Sequence, residues 1–278
     1  MWTKHGQVNS TFGYKLTCDR AIAGVPIGSL IGRVPLNDGL KYQLNGRCEF
    51  ATFNSDNGEI RSSVILDRES TSMNGTFNMI LVAQPAAIIS VFIEVLDVND
   101  NDPVFPSPFM NVSIVESAAV GSRVAVHSAT DADFAENGTI VAYGIENTQS
   151  VFTLVRSTSH SGDDVLLLEL AKPLDRETKD LYVINVSASD GGHPPRFGYS
   201  TVVVNVLDAN DNAPVFEQPF YEVSISSHPG HGSNILTVKA SDGDIGDNAR
   251  IIYRISNDAQ DQFEINRHNG TIYAKVMN

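Results

Sequence analysis

The sequence predicts an all-β chain of tandem Greek-key β-sandwich repeats of about 110 residues each, the last of them truncated. Three observations predict it. First, motifs return at a near-constant offset. Asp97-Val98-Asn99-Asp100-Asn101 returns as Asp208-Ala209-Asn210-Asp211-Asn212, and Asp131-Ala132-Asp133 as Asp242-Gly243-Asp244, both 111 residues later. Leu66-Asp67-Arg68-Glu69 returns as Leu174-Asp175-Arg176-Glu177 after 108. Second, short β-branched runs are separated by turn signals such as Asn57-Gly58, Asn137-Gly138, Asp190-Gly191-Gly192 and Asn269-Gly270. Third, long helical periodicity is almost absent.

In chain order, the repeats are expected at 1–103, 104–214 and 215–278. The first is the least regular, with a polar start; residues 89–95 form a β-branched run leading straight into Asp97. The second is complete: 165–170 and 181–186 have strand length and composition, and 201–207 runs into Asp208. The third stops at Asn278, where the counterpart of the Asp-Arg-Glu motif would begin, and is expected to lack its final strands and expose an edge.

A length of 278 residues suits two or three domains of about 100 residues. Lys and Arg total 19 against 33 Asp and Glu, a net charge of −14, which argues against nucleic-acid binding. That balance fits a chain that holds cations, and an acidic solubilising surface is the plainer alternative. Hydrophobic content of 42% is ordinary for a packed core. Residues 1–6 lack the apolar core of a signal peptide, and the most apolar window, 85–96, is far short of a membrane span. A soluble piece of a longer secreted or anchored chain, without membrane contact of its own, is expected.

The two Asp/Asn stretches carry the chemistry. Oxygens this dense, with no His or Cys beside them, suit a hard cation, Ca²⁺ above all. An Asn/Asp-rich turn is the alternative for one copy, and a second copy with the same flanking partners makes it a poor account. Enzyme signatures fail: the seven His are scattered, and no phosphate loop, nucleophile elbow or His-Glu-x-x-His occurs. Carboxylate pairs such as Asp67 and Glu69 could serve glycoside hydrolysis, but an active site is not usually copied in every repeat.

With these motifs, and with Val186-Ser187-Ala188-Ser189-Asp190, the chain resembles tandem extracellular cadherin repeats over all but its first dozen or so residues. The resemblance implies Ca²⁺ held between successive repeats. At the first junction it implies Asp67 and Glu69, then Asp97, Asn99 and Asp100 with the carbonyls of Val98 and Asn101. Asp131, Asp133, Asp190 and the carbonyl of Asn137 complete that set. At the second it implies Glu116, Asp175 and Glu177, then Asp208, Asn210 and Asp211 with the carbonyls of Ala209 and Asn212, and finally Asp242, Asp244 and the carbonyl of Asn248. The family's Glu near the start of a repeat stands here as Glu116. Its place in the first repeat falls on Ala23, or on Asp19 as a weaker ligand, and in the third on Ser227. The counterpart of Asp190 is missing from the third repeat.

The function this implies is calcium-dependent cell–cell adhesion, in which ions at the junctions rigidify a rod on the extracellular face of the plasma membrane. The partner is another cadherin-type ectodomain, homophilic or heterophilic. The alternative is a Ca²⁺-stiffened spacer or heterophilic receptor or ligand without homophilic adhesion. Classical members swap an N-terminal strand anchored by tryptophan, but Trp2 lies too far upstream for that short arm and is expected to be frayed. In a secreted chain, one disulfide between Cys18 and Cys48 is expected, with two buried free thiols as the alternative. Asn9, Asn74, Asn111, Asn185 and Asn269 are candidate glycosylation sites; Asn137 is also in a sequon, but its loop belongs to the ion site.

Overall fold

A computed structural model describes residues 3–8, 11–18, 25–70, 75–84, 87–146, 149–158, 164–226, 229–256 and 259–275, without the side chains of 3–18, Ala87 and Asp164. Trp2, Asp19, Ala23, Ser227 and the sequons at Asn9 and Asn74 lie outside the described residues or side chains.

The described residues contain twenty strands. The first eight are β1 (Thr3–Val8), β2 (Thr11–Cys18), β3 (Leu30–Arg33), β4 (Lys41–Leu44), β5 (Ala51–Phe53), β6 (Glu59–Ser62), β7 (Thr76–Gln84) and β8 (Ala87–Val95). Next come β9 (Phe109–Val115), β10 (Arg123–Val126), β11 (Ile140–Glu146), β12 (Phe152–Thr158), β13 (Asp164–Leu170), β14 (Leu181–Asp190) and β15 (Phe197–Leu207). The last are β16 (Val215–Phe216), β17 (Asn234–Thr237), β18 (Ala240–Ser241), β19 (Phe263–Ile265) and β20 (Thr271–Ala274).

The chain divides into two compact units, Met1–Pro108 with His127–Ile145 and Asn185–Ser200, and Phe109–Val126 with Glu146–Ile184 and Thr201–Asn278.

In the first unit, β1-β2-β8-β7-β4 form one sheet and β3-β6-β5 another. The period-2 alternation of β7 turns Phe77, Met79, Leu81 and Ala83 inward, and Ile89, Val91, Ile93 and Val95 do the same from β8. They meet Tyr42, Ala51 and Ile60 in one buried cluster, which makes the two sheets a sandwich. Gly58 closes the turn before β6 at φ +71°, and a Cβ there would lie 2.2 Å from the Val34 carbonyl oxygen. Only glycine combines that dihedral with that approach.

The N-terminal residues, unassigned from sequence, pair as a hairpin: β1 runs antiparallel to β2, and β2 runs parallel to β8 with Cys18 opposite Val95. This placement bears on the cysteines. Cys48 is a half-buried free thiol packed against the apolar cluster, so the expected bridge to Cys18 is absent. The sheet order puts β2 three strand spacings from β4, roughly 14 Å. Cys48 leaves β4 four residues after its last strand residue, Leu44. Bridged cysteines need Cα atoms within about 7 Å.

In the second unit, β10-β13-β12 form an antiparallel sheet through Arg123 opposite Glu169 and Leu154 opposite Leu168. The segment Thr201–Leu207 of β15 pairs in parallel with β9, Ile114 opposite Val206. Phe152, Leu166, Leu168, Leu170 and Val204 are buried there. Beyond Phe216 the strands shorten to two to four residues, in the pairs β16-β18 and β17-β20-β19. Val223, Ile225 and Ile252 are exposed in that region.

Candidate functional site

The first oxygen cluster lies within the first unit. Asp67 and Glu69 stand in the loop after β6, residues 97–101 follow β8, Asp131 to Asn137 lie between β10 and β11, and Asp190 ends β14. Short loops hold each carboxylate by its own backbone. Oδ1 of Asp67 accepts from the N–H of Glu69 at 3.0 Å, and Oδ1 of Asp131 from the N–H of Asp133 at 2.9 Å. Oδ1 of Asp190 accepts from Gly192 and Arg196, each at 3.0 Å. These are Asx-type turns, in which side chain and backbone fix each other.

The segment 97–101 connects these loops. Asp97 Oδ2 accepts from the Phe134 N–H at 3.1 Å and from Asn137 Nδ2 at 2.8 Å. Asn101 clamps Asp133: its N–H reaches Oδ2 at 3.2 Å and its Nδ2 reaches Oδ1 at 2.6 Å. Asn99 Nδ2 donates to the Pro194 carbonyl at 2.7 Å, which leaves the amide oxygen of Asn99 facing the cluster. The Val98 carbonyl accepts from the Asp100 N–H at 2.8 Å, using one of its two lone pairs. Gly138 is required by close approach, since a Cβ would fall 1.9 Å from the Asp133 carbonyl oxygen.

Five oxygens in this cluster are buried without a hydrogen-bond partner: Glu69 Oε1, Asp97 Oδ1, Asn99 Oδ1, Asp131 Oδ2 and Asp190 Oδ2. Glu69, Asp97 and Asp133 bring ligand atoms within 4.8 Å of one another. Burying like charges this closely favours the protonated forms. Desolvation first, then the neighbouring Asp97, pushes Glu69 up to about 8. Burial likewise raises Asp100 and Asp131, with Asp133 adding repulsion to both. An unpaired buried carboxylate oxygen is costly, and a hard divalent cation is the partner that oxygen-only donors fit.

The second cluster lies within the second unit and repeats the framework. Asp208 Oδ2 accepts from the Ile245 N–H at 3.2 Å and from Asn248 Nδ2 at 2.8 Å. Asn212 Nδ2 holds Asp244 Oδ1 at 2.8 Å, and Asp244 donates to Asp242 Oδ1 at 3.0 Å. Glu116, buried, accepts from the N–H groups of Arg176 and Ala209, each at 2.7 Å. Thr178 holds Asp175. Glu116, Glu177 and Asp208 gather as Glu69, Asp97 and Asp133 do, and Asp244 Oδ2 is buried without a partner. Asp211 is raised by burial and then by Glu116 and Asp244. Burial acts in the same direction on Asp208, but bonds from Asn248, Ile245 and Arg176 outweigh it and hold this carboxyl below the usual range. Asn210 is exposed.

Of the sequence-predicted residues, Glu69, Asp97 and Asp133 come together at one cluster and Glu116, Glu177 and Asp208 at the other. Asp97 and Asp208 bind the loop after them through one oxygen and act as anchors as much as candidate ligands. Asn137 and Asn248, expected to offer carbonyls, also hold those anchors through their side-chain amides. Sequence reasoning assigned nothing to three arginines. Arg68 donates to the Val95 carbonyl and lies 4.2 Å over the Phe134 ring. Arg176 pairs with Asp208 and Glu177. Arg196 donates to the Asn99 carbonyl at 2.9 Å and to Asp102 at 2.7 Å. The first two were visible as the third residue of Leu-Asp-Arg-Glu; the third had no signal beyond its Pro-rich turn.

Cys18 pairs with Val95 as Ile114 pairs with Val206, and the described register of β2 ends there, so Asp19 and Ala23 lie outside it.

A family model described as "FAT4-like, N-terminal cadherin-like domain" matches residues 20–97, and one described as "Cadherin domain" matches 110–207 and 221–276. Mouse Protocadherin Fat 4 is 34% identical over 251 residues, 89% of this chain and 5% of that protein. Mouse Protocadherin 18 is 35% identical over 217 residues, 76% of this chain and 19% of the relative. The chain thus spans a small part of these relatives. The solved structure of mouse clustered PcdhgC3 EC1-3 superposes with a TM-score of 0.82 at 29% identity, covering 95% of this chain and 88% of that one. Protocadherin Gamma C5 EC1-3 gives 0.79 at 29% identity, with 95% and 88% covered.

Proposed function

This chain belongs to the cadherin superfamily, and from that premise we propose that it is a calcium-dependent cell–cell adhesion segment whose two junctions hold Ca²⁺ and thereby stiffen the run of repeats. It is an extracellular, adhesion-type ectodomain segment and not an enzyme. The repeats are 1–103, 104–214 and 215–278, with ions between successive ones. Among the described residues no helix is long and apolar enough to cross a membrane.

The observation that carries the reading is the set of five buried, unpartnered oxygens converging from separate loops in the first cluster. Ca²⁺ takes six to eight oxygens, at about 2.3–2.6 Å, more than any one of these loops offers. At the first junction Asp67, Glu69, Asn99, Asp100, Asp131, Asp133 and Asp190 would supply side-chain oxygens, with the carbonyls of Val98, Asn101 and Asn137. At the second, Glu116, Asp175, Glu177, Asn210, Asp211, Asp242 and Asp244 would do so, with the carbonyls of Ala209, Asn212 and Asn248. Asp97 and Asp208 belong to these sets too, and through Oδ2 they also tie linker to loop.

Charge supports the same reading. The junctions hold seven predicted carboxylates each, fourteen in all, which equals the chain's formal charge of −14; the remaining acids balance its 19 Lys and Arg. Bound Ca²⁺ supplies the neutralising charge, and without it the carboxylates of each junction repel and loosen their loops.

Small-angle scattering with Ca²⁺ and with chelator tests the stiffening: the distribution of maximum dimensions should broaden when the ion is removed, and an unchanged profile sinks the proposal. Beads coated with the secreted ectodomain test the partner. Aggregation that needs Ca²⁺ supports homophilic adhesion, pairing only with beads bearing another cadherin ectodomain supports heterophilic adhesion, and no aggregation with either leaves a stiffened spacer.

A further inference from the structure

One strand is chemically exposed in a way the ion sites do not address. β9, Phe-Met-Asn-Val-Ser-Ile-Val, is the last strand in the order β11-β14-β15-β9 and, among the described residues, β15 is the one strand paired with it. It has no charged residue, no proline and no glycine. A seven-residue neutral segment of high β-propensity on a sheet edge is a template for pairing with another chain. Its inward residues Val112 and Ile114 are buried; its outward row is Phe109, Asn111, Ser113 and Val115, all exposed. Phe109 is 62% exposed, and Leu207, paired with Val115, is 51% exposed.

The register counterparts of Asn111 in the other repeats are placed differently. Asn111 pairs with Val203, and the matching register place in the first repeat is Lys15 opposite Phe92. In the third repeat the residue 111 positions on is Glu222, within Phe220-Tyr221-Glu222-Val223-Ser224-Ile225. Neither counterpart is a free edge strand: β1 pairs with β2, and residues 217–226 form no strand. A charge at the centre of an edge strand is a common device against edge-to-edge pairing. Asn111 has no charge, but Asn111-Val112-Ser113 is a glycosylation acceptor.

We propose that Asn111 carries an N-linked glycan, and that this carbohydrate covers the outward face and edge of β9, where, among the described residues, no strand pairs as β1 does with β2. Geometry agrees. The β pleat puts Asn111 and Ser113 on the same solvent-facing side, with the buried Val112 between them. The Asn137 sequon contrasts with it: its Nδ2, the attachment atom, is bonded to Asp97, and the Thr139 hydroxyl donates to the Ala135 carbonyl at 2.6 Å. The inference rests on the extracellular nature of the family and is independent of Ca²⁺ binding.

The test uses the chain secreted from mammalian cells. Enzymatic release of N-glycans in ¹⁸O water marks each occupied Asn as labelled Asp, read by peptide mass spectrometry. Asn111 should be labelled in most molecules; an unlabelled Asn111 overturns the site. Ser113→Ala and Asn111→Gln remove the glycan by different residues, and Asn111→Glu installs a charge at the same place. By light scattering, the first two should show a mass that rises with concentration toward at least the dimer, while wild type and Asn111→Glu stay monomeric. If both glycan-free variants stay monomeric, or if Asn111→Glu associates as they do, the covering role is wrong even with the sugar present.

Discussion

Arg176 donates from Nε to Oδ1 of Asp208 across 2.6 Å, and the same guanidinium reaches Glu177 and the carbonyl of Gly243. Its counterpart Arg68 keeps Nε 3.8 Å from Asp97 and lies over Phe134 instead. The difference follows from one residue: where the first cluster has Phe134, the second has Ile245, which offers no aromatic face to a cation. The second cluster thus contains its own counter-cation, and the first leaves more of its oxygens unpaired.

Arg176→Gln should therefore destabilise the ion-free chain more than the Ca²⁺-loaded chain. In the absence of ion the guanidinium is the positive charge among Glu116, Glu177 and Asp208; with ion, Ca²⁺ supplies it. Thermal melts with saturating Ca²⁺ and with chelator read this as a wider gap between the two midpoints than in wild type. An equal drop under both conditions would mean that Arg176 serves only to pack the loop.

At the first cluster the corresponding test is Asp190→Asn. Asp190 is 1% exposed; Oδ1 accepts two N–H groups and Oδ2 has no partner. Asparagine keeps the Oδ1 bonds and so the turn, but removes the charge. Calcium affinity at this junction should fall on the order of tenfold, about 1.4 kcal/mol, with the melting midpoint in chelator unchanged or higher. Calorimetric titration of the variant checks it; an unaltered isotherm would remove Asp190 from the ligand set.

How much of this was legible in the sequence depended on what each residue interacts with. Asp67, Glu69, Asn99 and Asp133 lie in motifs repeated at fixed spacing, because several ligands on one loop constrain that loop's sequence. The alternating strands β8, β14 and β15 were legible for the same local reason. Arg196 was not: its contacts to Asn99 and Asp102 cross 97 and 94 residues, and no spacing rule links them. The β1–β2 hairpin was hidden because backbone pairing holds a His-Gly-Gln sequence without apolar alternation. The disulfide expectation failed because two cysteines in one repeat say nothing of which strands separate them.

Protonation gives a third prediction. Without ion, Glu69 holds its proton up to about 8, through burial and then the neighbouring Asp97, against an ordinary value of 4.5. An acid raised on folding binds more protons in the native than in the unfolded state, so its contribution is present below about 4.5 and is lost as pH rises towards 8. The ion-free chain should accordingly lose stability across that window. Calcium needs the carboxylate, so binding at neutral pH should release protons, and affinity should rise with pH up to about 8. Titrations in two buffers of different ionisation enthalpy measure the release; Glu69→Gln should abolish it, and a heat independent of buffer in the wild type would contradict it.

Asn101→Ala examines the clamp rather than a ligand. Asn101 satisfies both oxygens of Asp133, a carboxylate only 8% exposed, through its N–H and Nδ2. Alanine keeps the backbone bond and removes the 2.6 Å bond from Nδ2, so one buried oxygen loses its donor. A hydrogen bond to a charged group contributes about 1.5–3 kcal/mol, and the ion-free chain should lose stability of that order in denaturant titration. Calcium should recover part of the loss, because the freed oxygen becomes available to the ion. If Ca²⁺ recovers none of it, Asp133 faces away from the bound ion and the first ligand set must be redrawn around Asp131 and Asp190.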